Sequence, residues 1–140
     1  MNFDRSVQSF TAQGALNHRQ IVAWGTADGT VKAATGPTDA IIGIVDYPGG
    51  AIDTGRVDVV RDGVTEVVLG GAVTRGDPLT SDANGCAVTA GHHTHPENLA
   101  AAYTENATTG AATLGRFVGW AEVSGVTGDV ILVAVDPSLI

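Results

Sequence analysis

Three Asx-Gly pairs punctuate the chain: Asp28-Gly29, Asp62-Gly63 and Asn84-Gly85. Each stands between two short apolar runs. QIVAW (20–24) precedes TVKAA (30–34), RVDVV (56–60) precedes VTEVVL (64–69), and PLTSDA (78–83) leads to CAVTA (86–90). Asx-Gly is the preferred centre of a two-residue hairpin, because both turn positions need positive φ. Three tight hairpins are therefore expected. AIIGIVD (40–46) reads as a buried strand, and RFVGWAEV (116–123) and DVILVAV (129–135) close the chain. Strands spaced about ten residues apart indicate a barrel or sandwich. Composition agrees. Eighteen Val and 16 Thr stand against one Lys and four Glu. β-branched side chains fit a pleated surface, and helix formers are scarce. The expected fold class is mainly β: a compact β-barrel-like or tulip-like single domain built from hairpins, spanning residues 20–140.

Two segments depart from this pattern. Residues 1–19 are polar, with Phe3, Val7 and Phe10 as isolated apolar points. The spacing 3, 7, 10 suits a helix face and 3, 5, 7 a strand face, so the local structure stays open. The segment is expected either to pack back on the domain or to form an extended N-terminal arm that docks on another chain. Residues 91–115, GHHTHPENLAAAYTENATTGAATLG, form a long insertion between strands. Pro96 suits the first position of a short helix over ENLAAAYTEN. Insertions of this length often carry specific function.

An internal echo is also present. ADGTVKA (27–33) resembles ANGCAVTA (83–90), and IIGIVD (41–46) resembles FVGWAE (117–122). Hairpin chemistry common to β-proteins is the simpler explanation, and an internal duplication is the alternative.

Net charge is -8. The seven basic residues are scattered rather than gathered in a stripe that would neutralise phosphates, so a nucleic-acid partner is not expected. An anionic membrane surface is disfavoured for the same reason. No apolar stretch approaches the roughly 20 residues of a spanning helix. The first residues lack the basic and apolar regions of a signal peptide. Cys86 is the only cysteine, so no internal disulfide forms, which suits a reducing compartment.

Catalytic signatures are missing. Ser124 in EVSGV lacks the first Gly of a nucleophile elbow. Cys86 has no basic neighbour in sequence to activate it and reads as a small apolar strand residue. No enzyme activity and no cofactor are expected. The sharpest metal hint is HHTHPE, where His92, His93 and His95 stand beside Glu97. Imidazole ligates zinc, copper or nickel, but no further ligand completes a diagnostic spacing. Arg75-Gly76-Asp77 matches a cell-adhesion tripeptide. Pro78 follows it, and Gly128-Asp129 repeats the Gly-Asp pair before another apolar run. The simpler reading is that Gly supplies an unusual backbone angle and Asp caps the turn.

The run GGAVTRGDPLTSDANGCAVTA and the later VGWAEVSGVTGDVILVAVDP resemble the capsid cement, or head decoration, proteins of tailed phages. The shared elements are Gly76-Asp77-Pro78-Leu79, Ser81-Asp82-Ala83-Asn84-Gly85, Val118-Gly119-Trp120-Ala121 and Gly128-Asp129-Val130-Ile131. The resemblance covers most of residues 20–137. The insertion and the His cluster have no place in the family pattern. It implies a non-enzymatic β-domain, made in the bacterial cytoplasm, that binds the major capsid protein on the outside of the expanded head. It also implies a homo-oligomer, with a trimer favoured. An arm that grips the shell would use Phe3, Arg5, Val7 and Phe10. The other virion reading is a tail or baseplate β-domain.

Overall fold

The computed structural model describes residues 5–90 and 115–139. Its nine strands are β1 (Ser6–Ala12), β2 (Ile21–Trp24), β3 (Thr30–Ala33), β4 (Ile41–Val45), β5 (Arg56–Val68), β6 (Pro78–Ser81), β7 (Ala87–Thr89), β8 (Arg116–Ala121) and β9 (Val130–Leu139). No helix occurs among the described residues. The mainly β, barrel-like single domain expected from the sequence is the observed architecture.

The strands form one sheet in the order β1-β3-β2-β4-β5-β9-β8-β6-β7, and β1 also pairs with β5. That extra pairing closes β1, β3, β2, β4 and the first half of β5 into a five-stranded barrel. The second half of β5 pairs with β9 from Gly63–Val135 to Val68–Val130, and β9, β8, β6 and β7 continue the sheet. A parallel bridge between Leu69 and Ala87 brings this second set round on itself. β5 is thus a wall of both barrels.

Asp62-Gly63 is not a hairpin, contrary to the sequence expectation. β5 runs straight through it, and Gly63 takes φ 106° in mid-strand. The left-handed angle serves to redirect the strand from one barrel to the next rather than to reverse it. The other two Asx-Gly pairs do sit in hairpin loops, β2–β3 and β6–β7. Only Gly29 (φ 76°) and Gly85 (φ 75°) are left-handed there. The loops are accordingly wider than the two-residue type, and side chains help to close them. Asp82 Oδ1 accepts from the N–H groups of Asn84 (2.8 Å) and Cys86 (2.9 Å).

The N-terminal segment is not an extended arm over its described length. β1 pairs antiparallel with β5, from Ser6–Asp62 to Thr11–Arg56, and parallel with β3 at Thr11–Thr30 and Ala12–Val31. Phe10 and Ala12 point into the first barrel, whereas Ser6 to Ser9 are exposed. The alternation is hidden in the sequence because only the last turn of β1 reaches the interior.

The internal echo belongs to a repeated pairing scheme, which favours the alternative to shared hairpin chemistry. The two barrels share one pairing scheme: β1, β2, β3, β4 and the first half of β5 correspond to the second half of β5, β6, β7, β8 and β9. Their registers coincide. Val22 pairs with Ala33 and Gly43, and Leu79 pairs with Thr89 and Gly119. Ile44 pairs with Val60, and Trp120 with Ala134. Loop hydrogen bonds repeat as well. Leu16 and Ala51 exchange two backbone bonds, as do Val73 and Gly125. Asn17 N–H donates to Gln20 Oε1 at 2.9 Å, and Thr74 N–H to Asp77 Oδ2 at 2.9 Å. Arg19 (φ 68°) and Thr54 (φ 67°), the non-glycine residues with positive φ among the described residues, correspond to Gly76 and Gly128.

The core follows this symmetry. Phe10, Leu16, Val22, Val31, Val45 and Val59 fill the first barrel. Their counterparts Val67, Val73, Leu79, Ala87, Ala121 and Val133 fill the second. Ile21, Ala23, Ala34, Ile41, Ile44 and Val60 face outward from the first barrel, yet all are buried and join the second barrel's cluster. They are the contact by which one barrel packs on the other. Backbone bonds seal it: Ile21 N–H to Gly85 O (2.8 Å) and Arg116 N–H to Pro37 O (2.8 Å).

Candidate functional site

The residues singled out from sequence separate in space. Arg75-Gly76-Asp77 lies in an exposed turn before β6. Gly76 takes φ 93°. Asp77 Oδ2 accepts from Thr74 N–H at 2.9 Å and from Thr89 Oγ1 at 3.1 Å. Gly128 repeats the device at φ 91°, with Asp129 Oδ2 accepting from Val126 N–H at 2.9 Å. Each carboxylate closes its own turn, and Asp77 also ties its turn to β7 through Thr89, so Gly76-Asp77 serves as turn architecture.

Cys86 lines a crevice of about 120 Å³ where the barrels meet, opposite Asn17, His18, Arg19 and Gln20. His18 Nδ1 accepts from Tyr47 N–H at 3.1 Å, which fixes the ring. Burial, and then the nearby Asp82 charge, push the Cys86 thiol above its ordinary pKa. A nucleophilic cysteine requires the opposite shift. Iodoacetamide is therefore expected to alkylate Cys86 more slowly than a free peptide cysteine at pH 8. The gap should narrow as the pH rises through the raised pKa. A rate equal to the peptide's at pH 8 would show an activated thiol.

Among the described residues no cluster of His, Cys, Asp and Glu is arranged to hold a metal. His92, His93, His95, Glu97 and the expected helix after Pro96 lie outside the described residues, as does Phe3. No helix of the described chain is long and apolar enough to cross a membrane.

Of the four residues assigned to a gripping arm, the described three have different fates. Arg5 is on the surface and pairs with Asp46 at 2.8 Å. Val7 is exposed. Phe10 is buried in the first barrel, edge-on to Trp24 at 5.5 Å. It cannot reach a partner without unzipping β1.

The surface shows another feature. On the outer face of the second barrel, Trp120 is 44% exposed, Val130 43% and Leu132 40%. Pro78, Trp120, Ala134 and Val64 form one cross-strand row. Phe117 stacks edge-on against Trp120 at 5.3 Å. Glu66 and Leu132 pair in the next row, and Val68 with Val130 beyond it. A strand with one face in water alternates polar and apolar residues, whereas RFVGWAEV and DVILVAV are almost unbroken apolar runs. That continuity was the available sequence signal for an outer face that is not simply solvated. A shallow hollow of about 390 Å³ beside it is of mixed character, lined by Arg5, Asp46, Val64, Thr65, Glu66 and Leu132. Three large apolar side chains thus share one exposed face.

No protein-family model matches the chain, and no curated protein matches its sequence. The fold is similar to the crystal structure of the N base of head fiber gp8.5 in bacteriophage phi29, with TM-score 0.59 and 14% identity. The similarity covers 95% of each chain.

Proposed function

We propose that this protein is a structural component of a tailed-phage virion, bound to the outer surface of the head as a cement or decoration protein. The observation that carries the reading is the fold likeness to a phage head fiber base over 95% of both chains. The sequence elements shared with the cement family point the same way, and they occupy β6 to β9. The protein acts mechanically. Each subunit buries surface against several copies of the major capsid protein, so that modest contacts add through multivalency and resist internal pressure. It works as a homo-oligomer, with a trimer favoured, and needs no cofactor or catalytic group. The capsid contact is not carried by Phe10, which belongs to the core. Val7, exposed on β1, and Arg5, just before the strand and paired with Asp46, lie on the surface where such a contact could form.

The test is copy number on purified particles. Quantitative mass spectrometry of virions from the phage that encodes this chain is expected to find a capsomer-scale stoichiometry, and labelling is expected over the whole head. A handful of copies at one vertex would assign the chain to the tail or baseplate instead. Absence from particles would overturn the reading.

A further inference from the structure

The repeat gives each barrel an equivalent mouth, and the two mouths are closed differently. Register matches the residues around them. Trp24 pairs with Val31 as Ser81 pairs with Ala87, and Gln8 with Val59 as Thr65 with Val133. Arg61 follows Val60 as Val135 follows Ala134. Gln8, Trp24 and Arg61 therefore hold the places of Thr65, Ser81 and Val135. In the second barrel these residues are small and buried. The outer row of the first barrel, Ile21–Ile44–Val60 with Ile41, lies against that mouth. β4 packs on β8 and β9, and the row shares one buried cluster with Val118 and Val135. Bonds run round the rim: Ile21 N–H to Gly85 O (2.8 Å), Arg116 N–H to Pro37 O (2.8 Å) and Gln20 Nε2 to Asn84 O (2.9 Å). The first barrel is closed by its own side chains instead. Among the described residues its buried cluster takes in none from the second barrel. The Trp24 ring meets Phe10 edge-on at 5.5 Å, and the Arg61 guanidinium lies over Trp24 at 5.3 Å. Arg61 Nη1 donates to Gln8 Oε1 at 2.9 Å, so β2, β5 and β1 are tied across the opening.

We propose that Gln8, Trp24 and Arg61 form an end cap that keeps the outer row of another copy off the first barrel's mouth. The row held off is Pro78–Trp120–Ala134, the counterpart of Ile21–Ile44–Val60, and Trp120 in it is 44% exposed. Without the cap, the packing that joins the two barrels within one chain would repeat from chain to chain. Head-to-tail contacts of this kind extend unless they close into a ring. Stacked repeats end in polar caps for the same reason. Here the cap puts an exposed amide and a half-buried guanidinium where the second barrel has Thr65 and Val135. It blocks one mode of association and leaves every other surface free. The inference therefore goes beyond the virion reading, and it is tested in solution without capsids.

The experiment gives the first mouth the residues of the second. The full-length triple variant Gln8→Thr, Trp24→Ser, Arg61→Val is compared with the wild type by sedimentation and light scattering. Concentrations run over roughly 1–100 µM, the range of ordinary interface affinities, and circular dichroism checks the fold. The wild type is expected to keep one mass across the range, and the opened variant to grow with concentration. Adding Trp120→Glu to the opened variant is expected to weaken that growth about tenfold or more. This quadruple variant keeps the open mouth but lacks the row, which the wild type supplies. Mixing the two is expected to give a complex that is one-to-one in subunits. Arg61→Val alone serves should the triple variant fail to fold. It removes both the stack on Trp24 and the bond to Gln8, and is expected to give the same growth at higher concentration. A folded variant that keeps the wild-type mass overturns the proposal, as does a wild type that grows without limit. Growth that Trp120→Glu leaves unchanged overturns it too, because an exposed interior would then be associating without the row.

Discussion

Gly119→Ala is expected to cost about 3 kcal/mol or more, the upper end of the range for overpacking in a close-packed interior. An ideal Cβ at position 119 would lie 2.0 Å from the carbonyl oxygen of Ala134 and 2.8 Å from its carbon. Both are backbone atoms of the paired strand β9, so no side chain can swing away. Relief requires β8 and β9 to separate at the centre of the second barrel, beside the buried Val118 and Val133. A loss of that size lowers the thermal midpoint by roughly 10 °C in a domain of this length. The repeat supplies an independent copy of the experiment. Gly43 holds the same place in the first barrel, where a Cβ would lie 2.2 Å from Val60 O. Gly43→Ala should therefore destabilise to a similar degree. Gly36→Ala is the control: no atom lies within 4 Å of its Cβ position and its φ is not left-handed. It should change stability by less than about 0.5 kcal/mol. Thermal or urea unfolding of the three variants measures all of this. Equal stability of Gly119→Ala and Gly36→Ala would contradict the strand pairing.

The two glycines also show why the repeat is hard to see in sequence. A close backbone approach demands glycine at both places, so the residue survives. Apart from these and the left-handed pair Gly29 and Gly85, the repeat fixes little more than whether a side chain points in or out. Phe10 opposes Val67, Val31 opposes Ala87 and Val45 opposes Ala121, all buried and all different. Positive φ is met by glycine in one copy and by Arg19 and Thr54 in the other. Turn closure passes from Gln13, whose Oε1 accepts from Thr26 N–H at 2.7 Å, to Asp82 in the second hairpin. Interchange of this kind leaves little identity between the halves while the hydrogen-bond register is the same.

Other parts were legible because local chemistry settles them. β2, β3, β4, β7 and β8 fall on the runs read as strands, and Gly76-Asp77 behaves as the turn device expected of it. Asp62-Gly63 misled because hairpin chemistry and a mid-strand bend both need a left-handed glycine. Only the tertiary demand that β5 serve two barrels distinguishes them. The exposure of the Trp120 row is hidden in the sequence for a related reason. A continuous apolar strand reads as buried on both faces, and sequence does not say whether the second cover comes from the same chain.

Phe10→Ala distinguishes a gripping arm from a barrel strand, with the second large effect. If residues 1–19 were an arm that orders only on a capsid, truncating Phe10 would leave the free protein's stability unchanged and weaken binding alone. The structure predicts the reverse. Phe10 is 8% exposed, packs in the first barrel with Val22, Val31 and Val57, and meets the Trp24 ring edge-on. Phe-to-Ala changes in such sites cost about 3–5 kcal/mol, because transfer and cavity terms add. The five-stranded barrel has little means of closing the gap, since β1 is held by β5 on one side and β3 on the other. Val7→Ala, three residues earlier and exposed, should shift stability by less than about 0.5 kcal/mol. Unfolding curves for the two variants, measured without any capsid, decide the matter. A large loss for Phe10→Ala and none for Val7→Ala means that β1 is a wall of the domain. Any capsid contact near the N-terminus must then be made by its outward face, at Arg5 and Val7, and an affinity loss in Phe10→Ala would report unfolding rather than a lost contact.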